Sequence, residues 1–230
     1  DWDALMEYII NKPWTKRYEN NAVSIFSAFD DKGIFGNDFV KDLLEIQFKI
    51  KGLKPSMTLK EFYEYSNINL NIYSFNLNKF ESECLNYQSS PELSVLDAVY
   101  MSSTFPFIFK PMYVNDSYYI DGGVDLDFPH DKCIADMNKD EETLSIKVIH
   151  SQKQKNMPLK KNSNILEMAI YMFRKLIHEN RKKNEMSIPK NYIEVAGETF
   201  TLESINEVFD KENRRRWLND GREIAHKFLN

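Results

Sequence analysis

The stretch Tyr118-Tyr119-Ile120-Asp121-Gly122-Gly123 decides how the rest of this sequence is interpreted. It predicts a short apolar strand that ends at a carboxylate and is followed by two glycines. A strand end is a rigid place for a catalytic group, and glycines permit positive φ and close approach of the backbone to a neighbour. Asp121 is therefore a candidate base that takes the proton of a serine hydroxyl. An Asp-Gly-Gly turn that closes a hairpin explains the same spacing, and the stretch alone leaves both interpretations open.

An upstream segment, residues 93–111, favours the catalytic interpretation of Asp121 over the hairpin turn. It predicts a helix that leads into Ser102-Ser103-Thr104-Phe105-Pro106. This order resembles the signature of the patatin-like phospholipases, in which a helix enters a Ser-Ser-x-Phe-Pro loop and a strand then delivers Asp-Gly-Gly. The resemblance implies that Asp121 is the acidic half of a Ser-Asp dyad and that Gly122 and Gly123 complete the motif.

Two further segments carry the resemblance, which extends from about residue 30 to residue 135. Gly33-Ile34-Phe35-Gly36 is similar to a Gly-Ile/Leu-Phe segment of the family, and residues 58–63 are similar to its Thr-Phe-x-Glu-Leu-Tyr element. The family fold implies an α/β protein with three α/β/α layers around a central, largely parallel sheet. Alternation of predicted strands and helices along the chain favours the same class.

The nucleophile half of the family motif is missing from these 230 residues. The seven glycines are never four positions apart, so Gly-x-Ser-x-Gly cannot occur. The one adjacent glycine pair belongs to the aspartate motif, which also leaves no oxyanion loop of the family type. We therefore expect a single domain over residues 1–230 that is incomplete at its N-terminus and lacks its first strands and its nucleophile elbow.

Composition limits the remaining functions. Hydrophobic residues make up 42% of the chain, enough for a core, and the net charge of −5 argues weakly against nucleic acid as the main partner. Cys84 and Cys133 show neither metal nor redox spacing, and no apolar run reaches the length of a membrane span. We expect a cytoplasmic protein without metal or cofactor, with peripheral attachment to membranes left open.

Periodicity and capping signals predict the secondary structure. Helices are expected at residues 38–51, 95–103, 164–183 and 212–229, with Ser94 as a cap, Thr58 and Glu61 as a capping box, and Asn164 with Glu167 as the cap of the third helix. An apolar stripe of that third helix is interpreted as core; its members are Ile165, Ala169, Met172, Phe173 and Leu176. Strands are expected at residues 68–77, 81–88 (an edge strand), 144–149 and 192–196. Residues 18–29 fit neither period.

The loop between residues 105 and 111 carries the substrate hypothesis. Phe105, Phe107 and Phe109 lie in a stretch that Pro106 and Pro111 hold stiff and extended. Such rings form either the wall of an acyl-chain channel or part of the core.

Other polar residues near the motif are given structural roles. Asp127 is interpreted as a solvated loop residue, although a position close to Asp121 would raise the pKa of one of the two carboxyls. His130 is interpreted as a loop residue, because the resemblance implies a dyad. Ser102 and Ser103 lack a glycine-flanked turn and are expected to cap backbone groups at a helix end.

The sequence thus predicts a lipid acyl hydrolase, a phospholipase or esterase, of which this chain holds only the aspartate. Its expected partners are a lipid substrate and a membrane or micelle surface. The chain alone is expected to be inactive. A catalytically inactive lipid-binding or interaction module of the same family is the alternative.

Overall fold

The computed structural model describes residues 2–13, 30–137, 140–149, 159–181, 189–197 and 207–230. The chain divides into two compact units. The sheet unit comprises Val23–Asp127 and Met172–Lys183, and the terminal unit comprises Asp1–Ala22, Phe128–Tyr171 and Asn184–Asn230. Residues 18–29, which fit neither period in the sequence, lie outside the described residues.

Helices and strands follow one another along the described chain, which confirms the α/β class. The helices are α1 (Trp2–Asn11), α2 (Asp38–Ile50), α3 (Leu59–Ser66), α4 (Val95–Ser103), α5 (His130–Met137), α6 (Ile165–Arg181) and α7 (Lys211–Leu229). The strands are β1 (Ile72–Asn76), β2 (Glu81–Leu85), β3 (Met112–Val114), β4 (Ser117–Asp121), β5 (Leu144–Ile149) and β6 (Asn191–Ala196). Among the described helices, none combines the length and apolar composition needed to cross a bilayer.

Side-chain caps begin the helices that the sequence predicted from capping signals. Thr58 Oγ1 accepts from the Glu61 amide at 3.1 Å, and Glu61 Oε2 accepts from the Thr58 amide at 2.8 Å, which confirms the capping box. Ser94 Oγ accepts from the Asp97 amide at 3.0 Å at the start of α4. Asn37 stands at the N-cap of α2 but makes no side-chain cap bond.

Within the described residues of the sheet unit, the sheet has four strands in the order β2-β1-β4-β3, and every neighbouring pair is antiparallel. The prediction of a largely parallel sheet is therefore wrong for this part of the chain. The reason is local: β1–β2 and β3–β4 are joined by short turns, and only antiparallel strands can be joined in that way. Asn115 and Asp116 form the second turn with φ of 48° and 57°, the left-handed pair that suits a tight hairpin.

Helix α4 covers one face of this sheet. The pairings Ile72↔Leu85 and Asn76↔Tyr119 place these side chains on a common face, since paired residues point the same way. Ile72, Leu85 and Tyr119 pack against Ala98 and Met101 of α4 in one buried cluster. Polar residues interrupt the face toward β4, where Ser74 is fully buried and pairs with Asp121.

Strands β5 and β6 form the parallel pair of the terminal unit. They match the predicted strands at residues 144–149 and 192–196 within one residue. One face of β5 remains apolar and open, with Leu144, Ile146 and Val148 each more than half exposed. The three-layer arrangement and the single domain over residues 1–230 remain predictions.

Helix α6 corrects one packing prediction. Its start is capped as expected, because Asn164 Oδ1 and the Glu167 carboxylate each accept the other residue's amide at 2.9 Å. The sequence assigned a stripe of this helix to the core, yet Ile165, Met172 and Leu176 are 63%, 52% and 68% exposed. The helical period was right, but period alone does not tell which apolar stripe has a neighbour.

Arg214 is a buried cation that ties together the terminal helices. Its guanidinium donates to the carbonyl oxygens of Val208 at 2.8 Å and Phe209 at 2.7 Å through Nη1 and of Ile10 at 2.7 Å through Nη2. A planar group with several fixed donors suits such convergent carbonyls, which would otherwise be buried without partners.

We expect Arg214→Met to lower the free energy of unfolding by about 3 kcal/mol, because three carbonyls lose their donor at a buried site. Arg215→Met is the matched control, since the Arg215 side chain is 42% exposed and pairs with Glu212 at the surface. Its loss is expected to be below about 1 kcal/mol. Urea unfolding followed by far-ultraviolet circular dichroism measures both, and equal midpoints would contradict the anchoring role.

Candidate active site

Asp121 is the last residue of β4 and lies against the end of α4. Its amide donates to the Thr104 carbonyl at 2.9 Å, and Thr104 follows directly on α4 and is fully buried. On its other side, Asp121 pairs with Ser74 of β1, whose hydroxyl donates to the Ile120 carbonyl at 2.7 Å. The backbone that carries the carboxylate is therefore fixed by both a helix end and a neighbouring strand.

The residues after Asp121 form a 3-10 turn, Gly122–Val124, rather than a hairpin. The Gly123 amide donates to Asp121 Oδ1 at 2.7 Å, and the Leu126 amide donates to the Gly122 carbonyl at 2.8 Å. The hairpin interpretation of the Asp-Gly-Gly motif is thus wrong, since β4 pairs with β1 and β3 instead. A short bond from a backbone amide to a carboxylate is charge-assisted and restricts the half-buried side chain to one orientation.

Gly122 is required by close packing and not by an unusual dihedral angle. A Cβ at this position would lie 2.2 Å from the Tyr73 carbonyl oxygen, closer than any real side chain comes. Both motif glycines lie in the 3-10 turn, whose φ values are negative. The close approach of the backbone is therefore confirmed at Gly122, and neither glycine uses the positive φ that its lack of a side chain permits.

Ser103 caps the end of α4, as predicted. Its hydroxyl lies 2.8 Å from the Val99 carbonyl and 3.2 Å from the Tyr100 carbonyl, and can donate to either. A serine engaged in this way serves the helix end, which supports the structural interpretation of Ser103.

The three predicted substrate-binding phenylalanines separate into two groups. Phe109 packs with Phe35 at 5.8 Å, Phe39 at 5.7 Å and Tyr100 at 6.5 Å between ring centroids. A Cβ on Gly33 would lie 2.5 Å from the Phe109 carbonyl, so the two segments are in direct backbone contact. This arrangement is a packed aromatic cluster.

Phe105 and Phe107 contact a different partner, Phe173 of α6, edge to face at 5.8 and 5.9 Å. Phe107 is 36% exposed, whereas Ile108 beside it is completely buried. The backbone of Phe107 is left-handed, with φ of 70°, which is an unfavourable region for a bulky residue. The loop thus presents two rings that lie at the end of the helix that also supports Asp121.

Tyr100 links this loop to the Gly33–Gly36 segment. Its hydroxyl lies 2.5 Å from the Lys110 carbonyl and 3.2 Å from the Phe35 carbonyl, and can donate to either. Burial raises the pKa of Tyr100 to about 12, so the phenol stays protonated and able to donate at physiological pH. One side chain of α4 therefore holds both the far end of the aromatic loop (residues 105–111) and the Gly33–Gly36 segment.

His130 corrects a further prediction. It is the first residue of α5, only 4% exposed, and its Nδ1 lies 2.9 Å from Ser145 Oγ of β5. Its ring stacks on Phe128 at 5.8 Å. The residue is therefore a buried contact of the terminal unit and not a loop residue. Asp127 is exposed, as its solvated interpretation requires.

Glu83 of β2 was missed by the sequence analysis. Its carboxylate accepts from Tyr119 Oη at 2.7 Å, Lys79 Nζ at 2.8 Å and Asn76 Nδ2 at 3.0 Å. Burial pushes the pKa of Glu83 upward, but these three hydrogen bonds outweigh it and leave the pKa below its ordinary value. The alternation of polar residues along β1 indicated that one face of the strand has polar neighbours. It did not identify Glu83 of β2 as that neighbour.

No three His, Cys, Asp or Glu side chains of the described part of the chain form a group that could hold a metal ion. Around Asp121, the described residues offer an oriented carboxylate and, from Phe105 onward, a loop of aromatic rings.

Comparison with known proteins gives a consistent picture. The family model for patatin-like phospholipases matches residues 2–134, more than half of the chain. A probable lipid hydrolase, 463L of Invertebrate iridescent virus 6, is 33% identical over 110 residues, which cover 48% of this chain and 38% of the viral protein. The triacylglycerol lipase SDP1L of Arabidopsis thaliana is 31% identical over 110 residues, which cover 47% of this chain and 14% of the plant protein. The match therefore spans well under half the length of either relative.

We expect Gly122→Ala to lower the free energy of unfolding by about 3 kcal/mol, because the Tyr73 carbonyl is backbone and cannot move aside cheaply. Gly36→Ala is the control, since a Cβ there meets nothing within 4 Å. It should change stability by less than about 1 kcal/mol. Denaturant titration of both variants checks this, and equal losses would contradict the close packing at Gly122.

At position 107 we expect the glycine variant to be more stable than the alanine variant by about 1 kcal/mol, because φ is left-handed there. Both variants lose the ring, so their difference isolates the backbone term. The same pair at Phe105, where φ is not positive, should show the opposite order. Thermal unfolding of the four variants tests this, and the same order at both positions would refute the strain.

Proposed function

Because this chain belongs to the patatin-like phospholipase family, we propose that it is the aspartate-bearing part of a lipid acyl hydrolase with a Ser-Asp dyad. The observation that carries this proposal is the Asp121 carboxylate, held at a strand end by the Gly123 amide at 2.7 Å. A base that is already oriented needs no rearrangement when the substrate binds.

In the proposed reaction, Asp121 accepts the proton of a serine hydroxyl while the serine Oγ attacks the carbonyl carbon of a lipid ester. The alcohol part of the ester departs with a proton, and the acyl group stays on the serine. Water then attacks the acyl-enzyme, releases the fatty acid and restores the serine hydroxyl. Asp121 serves as proton acceptor in both halves and requires no histidine.

The serine and the oxyanion donors of this proposal come from outside residues 1–230. The seven glycines of the chain allow no Gly-x-Ser-x-Gly turn, and Ser103 is engaged with the end of α4. Ser74 is fully buried in the sheet and donates to the Ile120 carbonyl, so it is not a substitute nucleophile.

Phe105 and Phe107 are the proposed wall of the acyl site. They follow Thr104, whose carbonyl binds the Asp121 amide, so the aromatic loop begins where the carboxylate is anchored. Their partial exposure leaves apolar surface for an acyl chain, whose burial is favourable by about 0.8 kcal/mol per methylene. Phe109 supports the loop through its own aromatic cluster.

The second candidate is a non-catalytic member of the family that binds lipid or a protein partner. It is favoured by one observation, the absence of a nucleophile elbow in this sequence. The reading frame before Asp1 distinguishes the two: a Gly-x-Ser-x-Gly in frame supports the hydrolase, and a start codon adjacent to Asp1 supports the module.

For the full-length gene product, we expect Asp121→Asn to lower the rate of hydrolysis of a fluorogenic lipid ester by about 100- to 10,000-fold, because an amide cannot accept the serine proton. Asp127→Asn is the matched control and should keep the wild-type rate, since Asp127 is exposed. The 230-residue chain by itself is expected to show no hydrolysis.

Two results would overturn this assignment. Equal rates for wild type and Asp121→Asn would remove the proposed base. Hydrolysis by the 230-residue chain alone, abolished by replacing one of its own serines, would show that the nucleophile lies within it.

A further inference from the structure

Asp125 carries a second carboxylate near the motif that the proposed reaction does not use. Its Oδ2 accepts a hydrogen bond from Ser82 Oγ at 2.7 Å, between residues 43 positions apart in the sequence. The bond is partly buried, and an ionised carboxylate can only accept, so the serine hydroxyl is the donor. Such a bond is short and charge-assisted.

This bond crosses the sheet. Ser82 lies on β2, Asp121 ends β4, and β1 runs between these two strands. Phe75 of β1 pairs with both Ser82 and Ile120, so these three side chains share the face opposite to Ser74 and Asp121. The chain after Asp121 therefore turns over β1 and is fastened to the strand beyond it.

Besides the bonds from the Asp125 and Leu126 amides to the Gly122 carbonyl, three contacts with neighbouring elements hold the turn. At its start the Asp121 amide is bonded to the Thr104 carbonyl, and in its middle Gly122 is packed against Tyr73. At its end the fastening contact is the bond between Ser82 and Asp125. Asp125 lies two residues after Gly123, so one short segment carries both the fastened carboxylate and the amide that binds Asp121.

We propose that Ser82 and Asp125 are positioning residues that hold the Gly123 amide on Asp121 and so fix the orientation of the catalytic carboxylate. They act through the turn and touch neither substrate nor reacting atoms. The catalytic consequence rests on the proposed function of Asp121, whereas the structural consequence can be measured without it.

The structural test uses the 230-residue chain labelled with ¹⁵N-glycine, which contains only seven glycines. Loss of one peak in Gly123→Ala identifies the Gly123 amide. In Ser82→Ala we expect this peak to move upfield in the proton dimension and its hydrogen exchange to accelerate by about tenfold, as loss of one hydrogen bond implies. Ser82→Thr keeps the hydroxyl and should restore both.

Ser89→Ala is the matched control. Ser89 lies just after the same strand, but its hydroxyl donates to the Cys84 carbonyl at 2.6 Å and not to the turn. It should leave the Gly123 peak in place. An unchanged Gly123 peak in Ser82→Ala, or an equal change in Ser89→Ala, would overturn the proposal.

The catalytic test uses the full-length gene product and the fluorogenic ester. Ser82→Ala and Asp125→Ala are each expected to lower kcat by about fivefold with KM unchanged, because a loosened base is misplaced more often. The double variant should lose no more than either single variant, since the two act as one unit. An unchanged kcat, or independent losses that multiply, would refute the positioning role.

The two failures remain distinguishable. If Asp121→Asn retains full activity, the proposed function fails and the glycine spectrum alone decides whether Ser82 holds the turn. If Asp121→Asn is inactive while Ser82→Ala keeps the wild-type kcat, the role of Asp121 as base is supported and the positioning role of Ser82 is refuted.

Discussion

The contact between Gly122 and the Tyr73 carbonyl is the constraint on which the arrangement around Asp121 depends. Because no side chain fits between them, the backbone leaves β4 while still pressed against β1. The chain continues in a tight 3-10 turn, and the Gly123 amide of that turn donates to the carboxylate of Asp121. The close packing of Gly122 on Tyr73 and the orientation of the Asp121 carboxylate are thus features of the same turn.

Helix α4 connects this turn to the apolar side of the site. Its end supplies the Thr104 carbonyl that receives the Asp121 amide, and the aromatic loop starts at the next residue. Tyr100, one turn earlier on the same helix, holds both the far end of that loop and the segment before α2. Both the carboxylate and the aromatic loop are therefore positioned by α4, a helix whose inner face is buried on the sheet.

Features set by local chemistry were predictable from the sequence. The capping box at Thr58 and the caps at Ser94 and Asn164 depend only on residues within one turn, and each was found as expected. Features that depend on distant partners were not predictable in the same way. The resemblance implied a largely parallel sheet, although the short turns of the two hairpins require antiparallel pairs there. The burial of His130 depends on Ser145, which lies on another strand. The bond from Ser82 to Asp125 produces no periodic pattern in the sequence, because it joins one strand position to one turn position.

The pairing of β1 with β4 has a consequence for how the chain acquires its structure. The two strands meet across a long stretch of intervening chain, as shown by the bond from Ser74 to the Ile120 carbonyl, 46 positions away. Contacts of such sequence separation require closure of a large loop and form later than hairpins and helices. During synthesis, β1 and β2 can pair as soon as they emerge, while the other edge of β1 waits with its backbone groups unsatisfied until β4 arrives. That interval exposes an open strand edge, so the nascent chain is most prone to self-association just before its acidic motif is made.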